Sequence, residues 1–87
     1  MSGEPDSLSP HSVPLSALRP GEVGVIAALS GGHSLRSRML TLGLTPDAEV
    51  TVLQNYGRGP MIVRVRDARV ALGRGEAEKV LVQRRVR

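Results

Sequence analysis

The chain has 87 residues, with no Cys, Trp or Phe and a single Tyr, so its core has to be built from Val, Leu, Ile, Ala and Met. A domain of this size buries only about 60–65% of the surface its unfolded chain exposes, and without cysteines neither a disulfide nor a thiolate zinc site can reinforce it. The net charge of +4 is uneven: up to Gly57 three arginines face five acidic residues, net −2, whereas from Arg58 onward nine basic residues face three acidic ones, net +6.

Residues 1–13 are rich in Ser and Pro and read as a disordered tail ahead of one domain over residues 14–87. The tail has neither the basic start nor the apolar run of a secretory signal or membrane anchor. No later stretch approaches the ~20 apolar residues of a membrane helix, so a cytoplasmic, soluble protein is expected. "PLSAL" predicts a single helical turn that sets Leu15 and Leu18 against a core, followed by a Pro20-Gly21 turn. "EVGVIAAL" is apolar on both alternating sets; its Val and Ile content and flanking turns favour a strand, with a bulge or bend at Gly24.

"GGHSLRSRMLTLG" predicts a short helix. Ser34 is its expected N-cap, and Leu35, Met39 and Leu42 fall at i, i+4 and i+7 on one face. Gly43 stands where a left-handed cap is needed, Leu44 can fold back on the last turn, and Pro46 blocks continuation. Further on, "AEVTVLQN" places Val50 and Val52 on one face, and "NYGRGP" reads as a loop. "MIVRVR" and "ARVAL" alternate in the same way and predict a hairpin with a two-residue turn at Asp67 and Ala68. "GRGEAEKV" offers one helical turn with acids at its start, and "VLVQRRV" a closing strand. The fold expected is mainly β, a small SH3-like barrel of about five strands with one inserted short α-helix.

The opening Leu-x-x-Leu before Pro-Gly, the Gly-x-Ile strand, "RMLTLGLTPDAEV" and "VALGRGEAEKVLV" together resemble the FeoA family, ferrous iron transport protein A. The signature rests on Arg38, Leu40, Leu42, Gly43, Leu44 and Pro46, and the likeness extends from about Leu15 to Val82. It implies an SH3-like barrel serving as a cytoplasmic, non-enzymatic accessory of FeoB, the membrane ferrous-iron transporter with a cytosolic nucleotide-binding domain. Asp47 and Asp67 depart from the family's pattern, standing where it often has Gly; Asp tolerates left-handed turns better than most residues.

The residues themselves give enzyme chemistry no footing. No Gly-x-Ser-x-Gly surrounds a serine, and His11 and His33 have no obvious base or nucleophile partner in sequence. "GRGEAE" starts like a phosphate loop, but Glu78 takes the third glycine position and Glu76 would repel a phosphate, so no cofactor is expected. Direct binding of ferrous iron would need His33, Glu22 and Glu49 to converge through space, since no chelating spacing occurs. Arg64, Arg66, Arg69, Arg84 and Arg85 could instead form a basic face for nucleic acid, although Tyr56 is the one aromatic available for base stacking. The expected partner surface consists of Arg36, Arg38 and Leu40 on the helix, with Tyr56, Arg58 and Met61 around the glycine loop.

Overall fold

The computed structural model describes residues 12–85. Along the chain run β1 (Ser12–Pro14), a 3-10 turn (Leu15–Ala17), β2 (Val23–Leu29), α1 (His33–Thr41), β3 (Glu49–Gln54), β4 (Met61–Val65), β5 (Ala68–Leu72), α2 (Arg74–Lys79) and β6 (Val80–Arg84). The strands form a single antiparallel sheet in the order β1-β6-β2-β3-β4-β5.

Among the described residues there are thus six strands and two α-helices where about five and one were expected. The additional strand is β1, which pairs with β6 through Ser12–Gln83, Val13–Val82 and Pro14–Leu81. Ser12 and Val13, expected in the tail, are thus part of the sheet, and residues 1–11 of the expected disordered tail lie outside the described residues. Val13 was hidden from pattern reading by its neighbours: a three-residue strand between Ser and Pro carries no visible alternation.

Every strand contributes to one core. Ile26, Val50, Val52, Met61, Val63, Val65, Leu72, Val80 and Val82 are sealed from solvent, with Leu15 and Leu18 of the turn region, Met39 of α1 and Ala77 of α2. One face of a flat six-stranded sheet could not gather these side chains into one cluster, so the sheet must curl. Register shifts between Ile26 and Ala28 and between Val52 and Gln54 supply local bends of the kind that β-bulges introduce. Closure is by packing, and β1 and β5 remain the two edges of the ladder. α2, directly after β5, packs against the 3-10 turn and β1.

Gly24 does not mark a bend; it sits in register with both Val50 and Arg84. A Cβ there would lie 3.0 Å from Leu18 Cδ1 and 3.1 Å from Val82 Cβ, so the glycine is required for close approach.

The helix C-terminus follows its sequence closely. Gly43 has φ +93°, the Gly43 N–H bonds Leu40 O at 3.0 Å, and the Leu44 N–H bonds Met39 O at 2.9 Å. This pair of bonds is the Schellman motif, completed by the full burial of Leu44. Asp47, just beyond Pro46, takes φ +74° in the position where the family's pattern would allow Gly.

Two local expectations are corrected. The N-cap of α1 is Gly32, without a side-chain capping bond, and Ser34 already lies inside the helix. The extended Gly32 starts the helix two residues earlier than a cap at Ser34 would, and glycine is an acceptable N-cap. The β4–β5 turn is Arg66–Asp67 rather than Asp67–Ala68, because Val65 pairs with Ala68. Arg66 takes the positive φ, +57°.

Candidate docking surface

α1 buries its apolar stripe only in part: Met39 is sealed in the core, while Leu35 and Leu42 are half-buried against it. Arg36, Arg38 and Leu40, off that stripe, are all exposed. Leu40 keeps 46% of its surface in solvent and Tyr56, on the β3–β4 loop, 77%; these are the exposed large hydrophobic side chains among the described residues. Arg58 is exposed on the same loop, but Met61 is fully buried. It opens β4 on the core face opposite Leu72, so it belongs to the barrel interior and not to a partner surface.

A chain of polar contacts links these elements. Arg38 Nη1 donates to Glu76 Oε2 at 2.5 Å, tying α1 to α2. The other oxygen of Glu76 accepts the Gly73 N–H at 3.0 Å and so satisfies an orphan donor at the start of α2. From the same first turn, Arg74 Nη1 donates to Asn55 Oδ1 at 2.7 Å. Asn55 Oδ1 also accepts the Gly57 N–H at 3.1 Å, closing an Asx-type turn. Its amide nitrogen donates to Ser16 O at 3.1 Å and to Leu18 O at 2.7 Å. α2 thus holds both α1 and the loop that carries Tyr56 and Arg58.

Sequence reasoning missed Asn55, Arg74 and Glu76 as organisers. For Asn55 the available signal was an Asn two residues before a loop glycine, the spacing of an Asx turn. For Glu76 the acid at the third helical position signalled the local Gly73 contact, but the Arg38–Glu76 and Arg74–Asn55 contacts, 38 and 19 residues apart, had no signal.

The expected basic face is divided. Arg84 is in register with Gly24, on the core-facing side at the end of its strand, where it donates to Ala17 O at 3.0 Å and pairs with Glu22 at 3.4 Å. Glu22 also accepts the Arg19 N–H at 2.7 Å; this backbone hydrogen bond, with the nearby Arg84 charge, lowers its pKa against an opposing desolvation. Arg85 pairs with Glu49. Arg64, Arg66 and Arg69 have no ion pair among the described residues. A shallow cavity of about 420 Å³ beside them mixes Arg64 and Arg66 with Asp47, Glu49 and Thr51. The metal trio is not brought together: among the described residues no three His, Asp or Glu side chains form a group able to hold a metal ion. No helix among the described residues is long and apolar enough to cross a membrane.

The comparisons with known proteins agree with this architecture. The FeoA domain model matches residues 13–84. The crystal structure of an iron uptake regulatory protein, FeoA, is 39% identical with TM-score 0.81, over 85% of this chain and 99% of that one. Stenotrophomonas maltophilia FeoA, crystallised with zinc and described as a procaryotic SH3 domain protein, is 28% identical with TM-score 0.71, over 79% and 87%. A Methanocaldococcus jannaschii protein named "Putative Fe(2+) transport protein A" is 27% identical over 70 residues, 80% of this chain and 84% of its own. With its SH3-like fold and a family match that spans nearly all the described residues, the chain belongs to the FeoA domain family.

Proposed function

We propose that this protein is a non-enzymatic, cytoplasmic accessory of ferrous iron uptake that docks on a FeoB-type membrane transporter through α1, α2 and the β3–β4 loop. The family supports the role in ferrous iron transport. The observation that carries the docking reading is the exposure of Leu40 and Tyr56 on two elements that α2 holds together, flanked by Arg36 and Arg58. Large apolar groups beside arginine are the usual centres of interface energy. Modulation requires unequal affinity: docking shifts the transporter, or its nucleotide-binding domain, only toward the conformation that the accessory binds better.

The test is a pull-down and a nucleotide-hydrolysis assay with the full-length transporter and with its cytosolic domain. Wild-type protein binds and changes the hydrolysis rate, while Leu40→Asp weakens binding by about tenfold or more, as expected for an interface anchor, with an unchanged unfolding midpoint. Absence of binding and of any rate change with the full-length transporter at micromolar concentration would defeat the reading.

A further inference from the structure

β4 and β5 are joined by a hydrogen-bonded two-residue turn, with Val65 paired to Ala68. That makes Val65–Ala68 the hydrogen-bonded pair at the base of the hairpin, and hydrogen-bonded and non-hydrogen-bonded pairs alternate from there. Arg64–Arg69 and Ile62–Ala71 are then the non-hydrogen-bonded pairs. In β5 the N–H and C=O groups of Ala68, Val70 and Leu72 turn toward β4, and those of Arg69 and Ala71 turn toward the open side.

That side is an edge. Among the described residues β5 ends the ladder, its one extensive neighbour is β4, and both Arg69 and Ala71 are exposed. A row of unpaired backbone groups on an edge strand is a template for a further strand. A second feature lies on the same edge. Arg64 and Arg69 are directly opposite one another on the outer face, at the closer Cα separation of a non-hydrogen-bonded pair, about 4.5 Å. Like charges in that position repel, and neither arginine has an acidic partner among the described residues.

We infer that the β5 edge accepts an extended acidic segment of a partner protein as a seventh strand, its backbone bonding Arg69 and Ala71 and a carboxylate settling against Arg69 and Arg64. Unpaired backbone donors and acceptors call for a polypeptide, and the uncompensated arginine pair calls for carboxylates. Nucleic acid would satisfy the arginines and leave the edge groups unpaired, and these strands carry no aromatic platform for bases. A second copy would satisfy the backbone but would bring two more arginines to the same face. No residue of the α1–α2 surface takes part, so this edge can fail or succeed independently of the docking proposed above.

The experiment uses the full chain and a fluorescein-labelled peptide of four Glu-Thr repeats, with a Lys-Thr peptide as control. Anisotropy is expected to detect binding of the Glu-Thr peptide alone. Arg69→Glu and Ala71→Pro are each expected to weaken it about tenfold, the loss of one charge-assisted contact or of one backbone hydrogen bond. Proline at 71 removes an N–H that the ladder does not use. In the wild-type protein the peptide should slow amide exchange at Arg69 and Ala71, a readout that does not depend on how the proline variant folds. Leu40→Asp should leave peptide affinity unchanged. Three results would overturn the inference: no peptide binding at millimolar concentration; binding without protection of the two amides, which means charge capture alone; or protection of those amides by self-association or by an oligonucleotide in place of the peptide.

Discussion

The inside of the barrel and its helix-bearing end are held together by different kinds of force. The interior is aliphatic throughout and contains no buried charged or polar residue among those described. Its stability comes from many small, non-directional contributions summed over area. The helix end depends on a few directional contacts, Arg38–Glu76–Gly73 on one side and Arg74–Asn55–Ser16/Leu18 on the other. The fold can therefore tolerate repacking of similar volume, while α1 and α2, anchored in the core by Met39 and Ala77, are tied to each other and to the β3–β4 loop by a few named atoms. Whatever binds at this end meets a surface whose geometry can change without loss of the barrel.

The largest expected effect tests the interior. Leu18 is fully buried, and its Cδ1 fills the space left by the missing side chain of Gly24. Leu18→Ala should cost about 2–5 kcal/mol, a large share of the total for a domain stable by roughly 0.05–0.15 kcal/mol per residue. Urea unfolding followed by circular dichroism should show a much lower midpoint with an unchanged slope. A shift of only a few tenths of a kcal/mol would mean that the core is looser than its burial indicates.

Asn55→Ala is the matching test of the helix end. It leaves Ser16 O and Leu18 O without this donor and Arg74 without its acceptor, at a cost of about 1–3 kcal/mol. The location of the effect distinguishes the two regions more sharply than its size. Amide exchange should quicken in the β3–β4 loop and α2 while the β2–β3 and β3–β4 ladders stay protected. Uniform acceleration across all strands would show that the two regions are not separable.

This division also explains how much could be read from the sequence. Alternation in "VTV", "MIVRV" and "RVAL" identified the core faces of β3, β4 and β5, because one buried face forces a period of two. Gly43, Leu44 and Pro46 were legible because a Schellman cap is a local motif with its own chemistry. β1 was missed because its pairing to β6 spans the whole domain, and Ser34 was misplaced because two glycines allow a helix to begin without a side-chain cap. At the site, the exposure of Arg36, Arg38, Leu40, Tyr56 and Arg58 followed from helix periodicity and loop composition. Met61 was misassigned because its position next to a loop suggested exposure, whereas the register of β4 turns it inward. The long-range contacts of Asn55, Arg74 and Glu76, to Ser16 and Leu18, to Asn55 and to Arg38, are ones that no local pattern encodes.

The smallest expected effect concerns Glu22, which joins the two kinds of region where β6 ends. Its carboxylate accepts the Arg19 N–H and faces Arg84, which in turn holds Ala17 O. The backbone bond and the arginine charge lower its pKa in the folded state. A depressed carboxylate pKa stabilises the fold above the ordinary carboxylate range, and that contribution fades as pH falls from there through the folded-state pKa. The group is solvent-exposed, so the effect is small and screened by salt. Thermal unfolding of wild-type and Glu22→Gln proteins at pH 7 and pH 3, in low salt, isolates it. The wild-type protein should lose more of its Tm on acidification than the variant, and 0.5 M salt should narrow the difference. If both lost the same amount, the Arg19–Glu22–Arg84 contact would contribute packing without charge, and the end of β6 would be held as the interior is.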